Sequence, residues 1–526
     1  MNGTRKMRIA HTLALVSAWC WIPAALLAAD VRLPHVIGDH MVLQRDVPIP
    51  IWGWADPGEV VTVTVGKHTA EATADDAGRW RVTLPAMEAG GPHELTVHGK
   101  KLIRLTDILV GEVWLCSGQS NMEMGVGVVM DAEEEIAAAD YPQIRLFELP
   151  RNAAGELAED INATWRVCSP TTIADGRWGG FSAVGYFFGR EVHKELNVPV
   201  GLIDSSWGGT PIEPWTPPCG FAAVPALHDV VDEVKQKDSE YKQQVLPKRM
   251  VEIEQWIAAT REALDKGQRL PPTPHWPRHP LKSEHAPTGL YNGMIHPLVP
   301  FAIRGAIWYQ GESNVHSNDG MAYFEKMKAL VGGWRQTWNQ GDFPFYYVQL
   351  APFKYTLHRR DITPDQMPRI WEAQLAALEI PNTGMAVTTD LGDWRDIHPK
   401  KKQEVGRRLA LWALAKTYDR EALVHSGPLY KSMAVEDGKI RIRFDHVGSG
   451  LHTRDGQPPN WFEIAGADRQ FVKANAEIDG ETVVVWSEQV PEPVAVRFSW
   501  HMLPEPIPNL INKEGLPASP FRSHPW

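Results

Sequence analysis

The stretch WLCSGQSNMEM (114–124) runs an apolar segment directly into Ser117-Gly118-Gln119-Ser120-Asn121. An apolar run that stops at small polar residues reads as a strand ending in a turn. Reacting groups in open α/β sheets gather at the carboxyl ends of strands. A serine there, leading into a helix, has its backbone N–H where partial positive charge collects. The same N–H can hold the oxyanion formed when the hydroxyl attacks a carbonyl. Ser120 is therefore the candidate nucleophile, weighed against a serine that only caps a helix. Met122 stands where a G-x-S-x-G elbow needs its second glycine, so a lipase-type elbow is not supported.

A nucleophilic serine needs a base. The segment TTDLGDWRDIHPKKKQEVGRRLALWAL offers His398, with Asp396 two residues earlier. In an extended segment residues i and i+2 point the same way, so the carboxylate can reach the imidazole. A helix N-terminus disfavours imidazolium, which makes such a carboxylate necessary. Pro399 fits the first turn of the helix that follows, which puts His398 on a strand-to-helix loop at the sheet edge that carries Ser120. Two further carboxylates compete for the orienting role: Asp393, five residues before the histidine and just after Gly392, and Glu312 from another strand end.

Glu312 belongs to WYQGESN (308–314), which sets Gln310, Glu312 and Asn314 at a strand's end. A fourth motif, SSWGGTPIEPW (205–215), holds Trp207 and the pair Gly208-Gly209, which lets backbone approach a ligand closely. Gly-Gly alone is usually a turn. Each motif alone is a weak signal, but four small polar motifs at four strand ends of one sheet are expected to share a site.

The elements that must position them follow a strand–helix–strand grammar from about residue 106. EVWLCS, VGLIDSS, AIWYQGES, FYYVQLA and GMAVTTD are short runs apolar on both faces, as a central parallel sheet requires. Between them, Phe324, Met327, Val331, Trp334 and Trp338 recur at helical spacing, as do Val405, Leu409 and Trp412. The expected fold is α/β, a doubly wound parallel-sheet hydrolase domain over residues 106–420. A charged helical excursion over about 219–285 interrupts it, with a solvated face. Residues 30–105 alternate at period two and predict an N-terminal β-sandwich, and residues 421–526 predict a β-rich C-terminal region.

Composition narrows the function. The net charge of −11 argues against a general nucleic-acid binder. The chain has no C-x-x-C pair, no H-E-x-x-H and no Walker-type phosphate loop. Most of the twenty-two tryptophans are expected in the core, although flat aromatic faces also suit sugar rings. Arg5, Lys6 and Arg8 precede an apolar run that ends at Ala28-Ala29, the pattern of a cleaved export signal over residues 1–29. After its removal no stable membrane insertion is expected, and the protein is secreted or periplasmic. Three cysteines remain, Cys116, Cys168 and Cys219, so at most one disulfide can form.

The blocks GEVWLCSGQSNMEM, GLIDSSWGGTPIEPW, IWYQGESN and DIHPKKKQEVGRRLAL together resemble, in order, the sialate O-acetylesterase family of SGNH-type hydrolases. The resemblance extends to LPHVIGDHMVLQRDVPIPIWGWADPGEVV near the start and NLINKEGLPASPFR near the end. It implies Ser120 as nucleophile, His398 as base and a part for Gln310 and Glu312. Arg395 stands where many SGNH enzymes carry the acid of Asp-x-x-His, which leaves the orienting carboxylate open. The expectation is a serine esterase that removes O-acetyl groups from sugars, with no metal or organic cofactor implied. The N–H groups of Ser120 and Gly209 and the amide of Gln310 would hold the oxyanion, while Asp396 and Glu312 would both contact the histidine. The competing classes are a non-catalytic glycan-binding protein on the same fold and a peptidase. The particular sugar and the oligomeric state are left open by these residues.

Overall fold

The computed structural model describes residues 30–526 apart from His358. The expected export segment therefore lies outside the described residues.

Seven strands carry the site. In chain order they are β1 (Leu102–Gly118), β2 (Tyr141–Glu148), β3 (Trp165–Cys168), β4 (Val200–Ser206), β5 (Gly305–Tyr309), β6 (Phe345–Val348) and β7 (Thr383–Ala386). Across the sheet they are ordered β7-β6-β5-β1-β4-β2-β3. Neighbours run parallel except for the β2–β3 pair at the edge. The first strand is thus central. The chain winds to one side of it through β4 and then to the other through β7. The crevice beyond the carboxyl ends of β1, β4 and β5 is where such a reversal receives ligands.

Six helices matter here: α1 (Ser120–Glu123), α2 (Ala183–Leu196), α3 (Glu312–His316), α4 (Ala322–Trp338), α5 (Gln366–Ala376) and α6 (Lys402–Lys416). Alternation along the strands explains why both faces are covered. Trp114 of β1 meets Phe188 of α2 and Tyr346 of β6 on one face. Trp308 of β5 lies in register with Ser117, one step out of phase, and meets Trp334 of α4 on the other. The expected doubly wound α/β architecture is present, with β-rich regions at both ends of the chain.

The expected division near residue 105 falls inside β1. This 17-residue strand pairs with Gly90–His98 in its first part and with β4 in its last. Its first six residues alternate in exposure and the remaining eleven are all buried, as the strand passes from an outer sheet into the central one. One apolar core spans both regions, from Val31 to Met502. The buried Glu112 fastens them further, taking Arg45 from one side and Arg304 from the other. The C-terminal strands, by contrast, have a core of their own that includes Ile440, Val483 and Phe498.

The excursion after residue 219 forms helices His228–Glu240 and Leu246–Asp265, and of these residues only Ala263 is buried. Cys116, Cys168 and Cys219 are free thiols. No helix among the described residues is long and apolar enough to cross a membrane.

Candidate active site

Ser120 opens α1 directly after β1. The approach needs glycine at residue 118. Gly118 has φ of +143°, and a Cβ on it would stand 2.1 Å from the Tyr309 carbonyl of β5. The tight end of β1 turns the serine out of the sheet, and residue 121 back beneath it.

His398 arrives on the loop after β7. Its Nε2 lies 2.9 Å from Ser120 Oγ, and its Nδ1 lies 3.1 Å from Asp396 Oδ1. The same Asp396 oxygen accepts the His398 backbone N–H at 2.9 Å, so the carboxylate fixes both ring and backbone. The pairing two residues apart is as expected, but the backbone is not extended: it bends at Ile397 and His398, and the carboxylate closes an Asx-turn on the His398 N–H. The helix start is not as expected: α6 begins at Lys402, so Pro399 belongs to the loop and not to a first turn. Asp393 does not compete for the ring, because its carboxylate accepts the Arg395 N–H at 2.9 Å. Arg395 itself stacks on the Trp394 ring.

Burial holds the His398 imidazole below its usual pKa, Asp396 opposes this, and the Lys402 ammonium adds to it. The downward shift favours the neutral imidazole, the form that accepts a proton.

The expected oxyanion and acid groups divide. Ser120 and Gly209 line one open groove of about 550 Å³ together with His398. Neither backbone N–H has a hydrogen-bond partner among the described residues. Gly208 is fixed by Glu123, whose carboxylate accepts its N–H at 2.8 Å, and its backbone lies against Ser120. Gln310 is a correction. Its side chain is fully buried, and its Nε2 donates to Gln119, Thr210 and Asn314 at 3.1, 3.2 and 2.7 Å. Both amide protons are used inside the protein, which leaves none for an oxyanion. Asn314 is likewise buried, bonded to the Ile212 N–H, Glu213 and Asp319. Trp207 is half-buried, with the Arg151 guanidinium 5.6 Å over its ring.

Glu312 also departs from expectation. It lines the floor of the groove but makes no hydrogen bond to His398. Its Oε1 accepts from the Asn121 amide, and Asn121 in turn donates to the Ile397 carbonyl at 3.1 Å. The expected contact with the histidine is replaced by one that passes through Asn121 and the residue before the base.

Sequence reasoning did not single out Glu123, Arg151 or Trp178. Glu123 is buried and binds Arg151 at 2.5 Å as well as Gly208. Arg177 adds a second guanidinium, 3.0 Å from Glu148, 3.6 Å from Asp204 and 3.7 Å from Glu123. Trp178 is 40% exposed and packs T-shaped against the His398 ring, with centroids 4.8 Å apart. Glu123 lies one helical turn beyond Ser120, a spacing that was readable in SGQSNME. Trp178 comes from a glycine-rich loop with no periodic signal. A larger groove of about 640 Å³, beside Phe324 and Ile380, shares no lining residue with this site.

A model of the carbohydrate esterase family described as sialic acid-specific acetylesterase matches residues 110–246 and 276–415. The chain belongs to this family of carbohydrate acetylesterases. The unmatched residues between the two segments fall in the exposed helical excursion. The chain is 33% identical to the sialate O-acetylesterase of Rattus norvegicus over 435 residues, covering 76% of each. It is 33% identical to that of Homo sapiens over 433 residues, covering 76% of this chain and 73% of the human one. Among solved structures, a carbohydrate acetylesterase from Xanthomonas citri superposes with a TM-score of 0.79 at 35% identity, covering 94% of this chain and all of that one.

Proposed function

We propose that the protein is an exported serine esterase that hydrolyses O-acetyl esters on sugars, sialic acid or another acetylated glycan, through Ser120, His398 and Asp396. One observation carries this reading: the Ser120 hydroxyl, the His398 ring and the Asp396 carboxylate form a continuous hydrogen-bonded line, of which Ser120 and His398 line an open groove. Ser120 Oγ attacks the acetyl carbonyl carbon as His398 Nε2 takes its proton. The Ser120 and Gly209 N–H groups face the oxygen that becomes negative. The tetrahedral intermediate collapses when the carbon–sugar-oxygen bond breaks and the imidazolium returns its proton to the sugar oxygen. Water then attacks the acetyl-serine with His398 again as base. Acetate departs and Ser120 regains its proton. Asp396 stabilises the transient imidazolium.

The test is acetate release from a panel of acetylated glycans, with Ser120→Ala as control. A loss on the order of 10⁴-fold or more is expected on a fold that melts normally. Near-normal release by the folded variant would remove Ser120 from the mechanism. Export is tested separately by N-terminal sequencing of the native protein, which is expected to begin near Asp30. An intact Met1 in a membrane fraction would refute cleavage.

A further inference from the structure

Behind Ser120 and His398 lies a second polar cluster that the mechanism above does not use. Lys402, the first residue of α6, is fully buried. A buried ammonium requires partners. Its Nζ donates to Asn121 Oδ1 at 2.5 Å and lies 5.1 Å from the centre of the Tyr309 ring. On the far side of the same amide, Asn121 Nδ2 donates to Glu312 Oε1 and to the Ile397 carbonyl. Glu312 is 4% exposed, and its second oxygen has no hydrogen-bond partner among the described residues. The charged groups that act on Lys402 through space are Glu312 from α3 and Asp396 from the loop before α6, and Lys402 acts in turn on His398.

The position of Asn121 gives this cluster a purpose. It follows the nucleophile in sequence, and the carbonyl it holds belongs to the residue before the base. One side chain therefore spans the two segments whose separation fixes the 2.9 Å contact between Ser120 and His398. Lys402 and Glu312 hold the amide's oxygen and its other N–H, which fixes the side chain in the orientation that reaches the Ile397 carbonyl.

We propose that Asn121 and Lys402 are positioning residues for the reaction: Asn121 ties the Ser120 turn to the His398 loop, and Lys402, paired with Glu312 across that amide, sets the charge behind the imidazole. The proposal rests on the esterase reading for its substrate and on the geometry alone for its structural content. It also accounts for Glu312, which works through Asn121 and never touches the ring. Burial lowers the Lys402 amine to about 7, against the attraction of Glu312 and Asp396. Burial raises the Glu312 carboxyl. The two shifts are those of a pair that share one dry compartment.

The experiment uses two readouts on the full chain. The first is the rate at which a fluorophosphonate probe labels Ser120 between about pH 4 and 9, which reports serine activation without any sugar. The second is kcat and KM for acetate release. Asn121→Ala is expected to lower kcat and the labelling rate by about 10²-fold with KM little changed, the scale of a misplaced reacting pair. Lys402→Met removes a cation that holds the His398 pKa down, so the acidic limb of both profiles should move to higher pH. The double variant Lys402→Met/Glu312→Leu should melt at a higher temperature than Lys402→Met alone, because the single change leaves a carboxylate buried without its cation. Its pH limb should stay displaced. A folded Lys402→Met or double variant with the wild-type limb would overturn the charge role. A folded Asn121→Ala with wild-type labelling would overturn the tie. Failure of the sugar reading looks different: the wild type would label normally and release no acetate.

Discussion

Asp396→Asn isolates how much a half-exposed carboxylate contributes to a serine–histidine pair. The side chain is 43% exposed, and its oxygen stands 3.1 Å from His398 Nδ1. A buried carboxylate in this place is worth about 10⁴-fold in turnover. Solvent weakens the interaction here. At about 4 Å a unit pair is worth about 1 kcal/mol in bulk water and about 4 kcal/mol at the screening typical of a protein surface. A value near 2 kcal/mol, roughly 30-fold in rate, follows for the stabilised imidazolium. Orientation suffers less, because the asparagine oxygen can still accept from Nδ1–H. The expected loss in kcat/KM is therefore roughly 10- to 100-fold. The pH profile supplies a sign. Asp396 raises the His398 pKa against burial and Lys402. Its removal lets the pKa fall, so the acidic limb should move to lower pH even as the maximum rate drops. Hydrolysis of 4-nitrophenyl acetate over about pH 4 to 9 measures both. A loss as large as that of Ser120→Ala, or a limb displaced upward, would refute the screening argument.

Gly208→Ala should reduce kcat by about 10²-fold with the fold intact, since its Cβ would stand 3.0 Å from Glu123 Oε2 and 3.2 Å from Ser120 Cβ; unchanged kinetics would mean that this backbone has room to move. Glu123→Gln should weaken the hold on Arg151 and Gly208 and cost roughly 10-fold in kcat, read in the same assay; an effect confined to KM would assign Glu123 to substrate binding instead. Asp204 is fully buried, and burial pushes its carboxyl up to about 7 from an unfolded value near 3.8. The stability its protonation contributes is complete below the lower value and lost as pH rises through the upper one. Urea melts of Asp204→Asn should therefore gain on the wild type from pH 4 to 7, and a constant difference would show that Asp204 stays ionised.

Ser120, His398 and Asp396 were legible because their signals are local. A buried strand that stops at small polar residues announces a turn, and an Asp-x-His step keeps the carboxylate within reach of the ring, here through an Asx-turn and not the extended backbone expected. The helices α4 and α6 were legible from apolar spacing, and five of the six parallel strands from runs with no polar face; β2 was not singled out. The division near residue 105 was drawn too sharply. A composition change marks where the neighbours of a strand change, and here β1 is common to both neighbourhoods.

What the residues determined by themselves was the chemistry on offer: a serine, a histidine, an aspartate two residues before it, and three polar side chains at another strand's end. Tertiary structure decided which of them face the groove. Gln310 and Asn314 turn inward and are consumed by Gln119, Thr210, Glu213 and Asp319. Glu312 sits at the floor of the groove but reaches the base only through Asn121. The difference lies in single backbone angles, such as φ of +148° at Gly311 and +143° at Gly118, which aim the side chains that follow. Lys402 was the third of three consecutive lysines, indistinguishable in sequence from a solvated patch. It is buried because α6 begins at that residue and packs its first turn beneath the Ser120 turn, a placement made by contacts 281 residues apart. Sequence spacing determines which side chains can share a face; only the packing of distant segments determines which of them lose their water, and with it which become reactive, structural or charged.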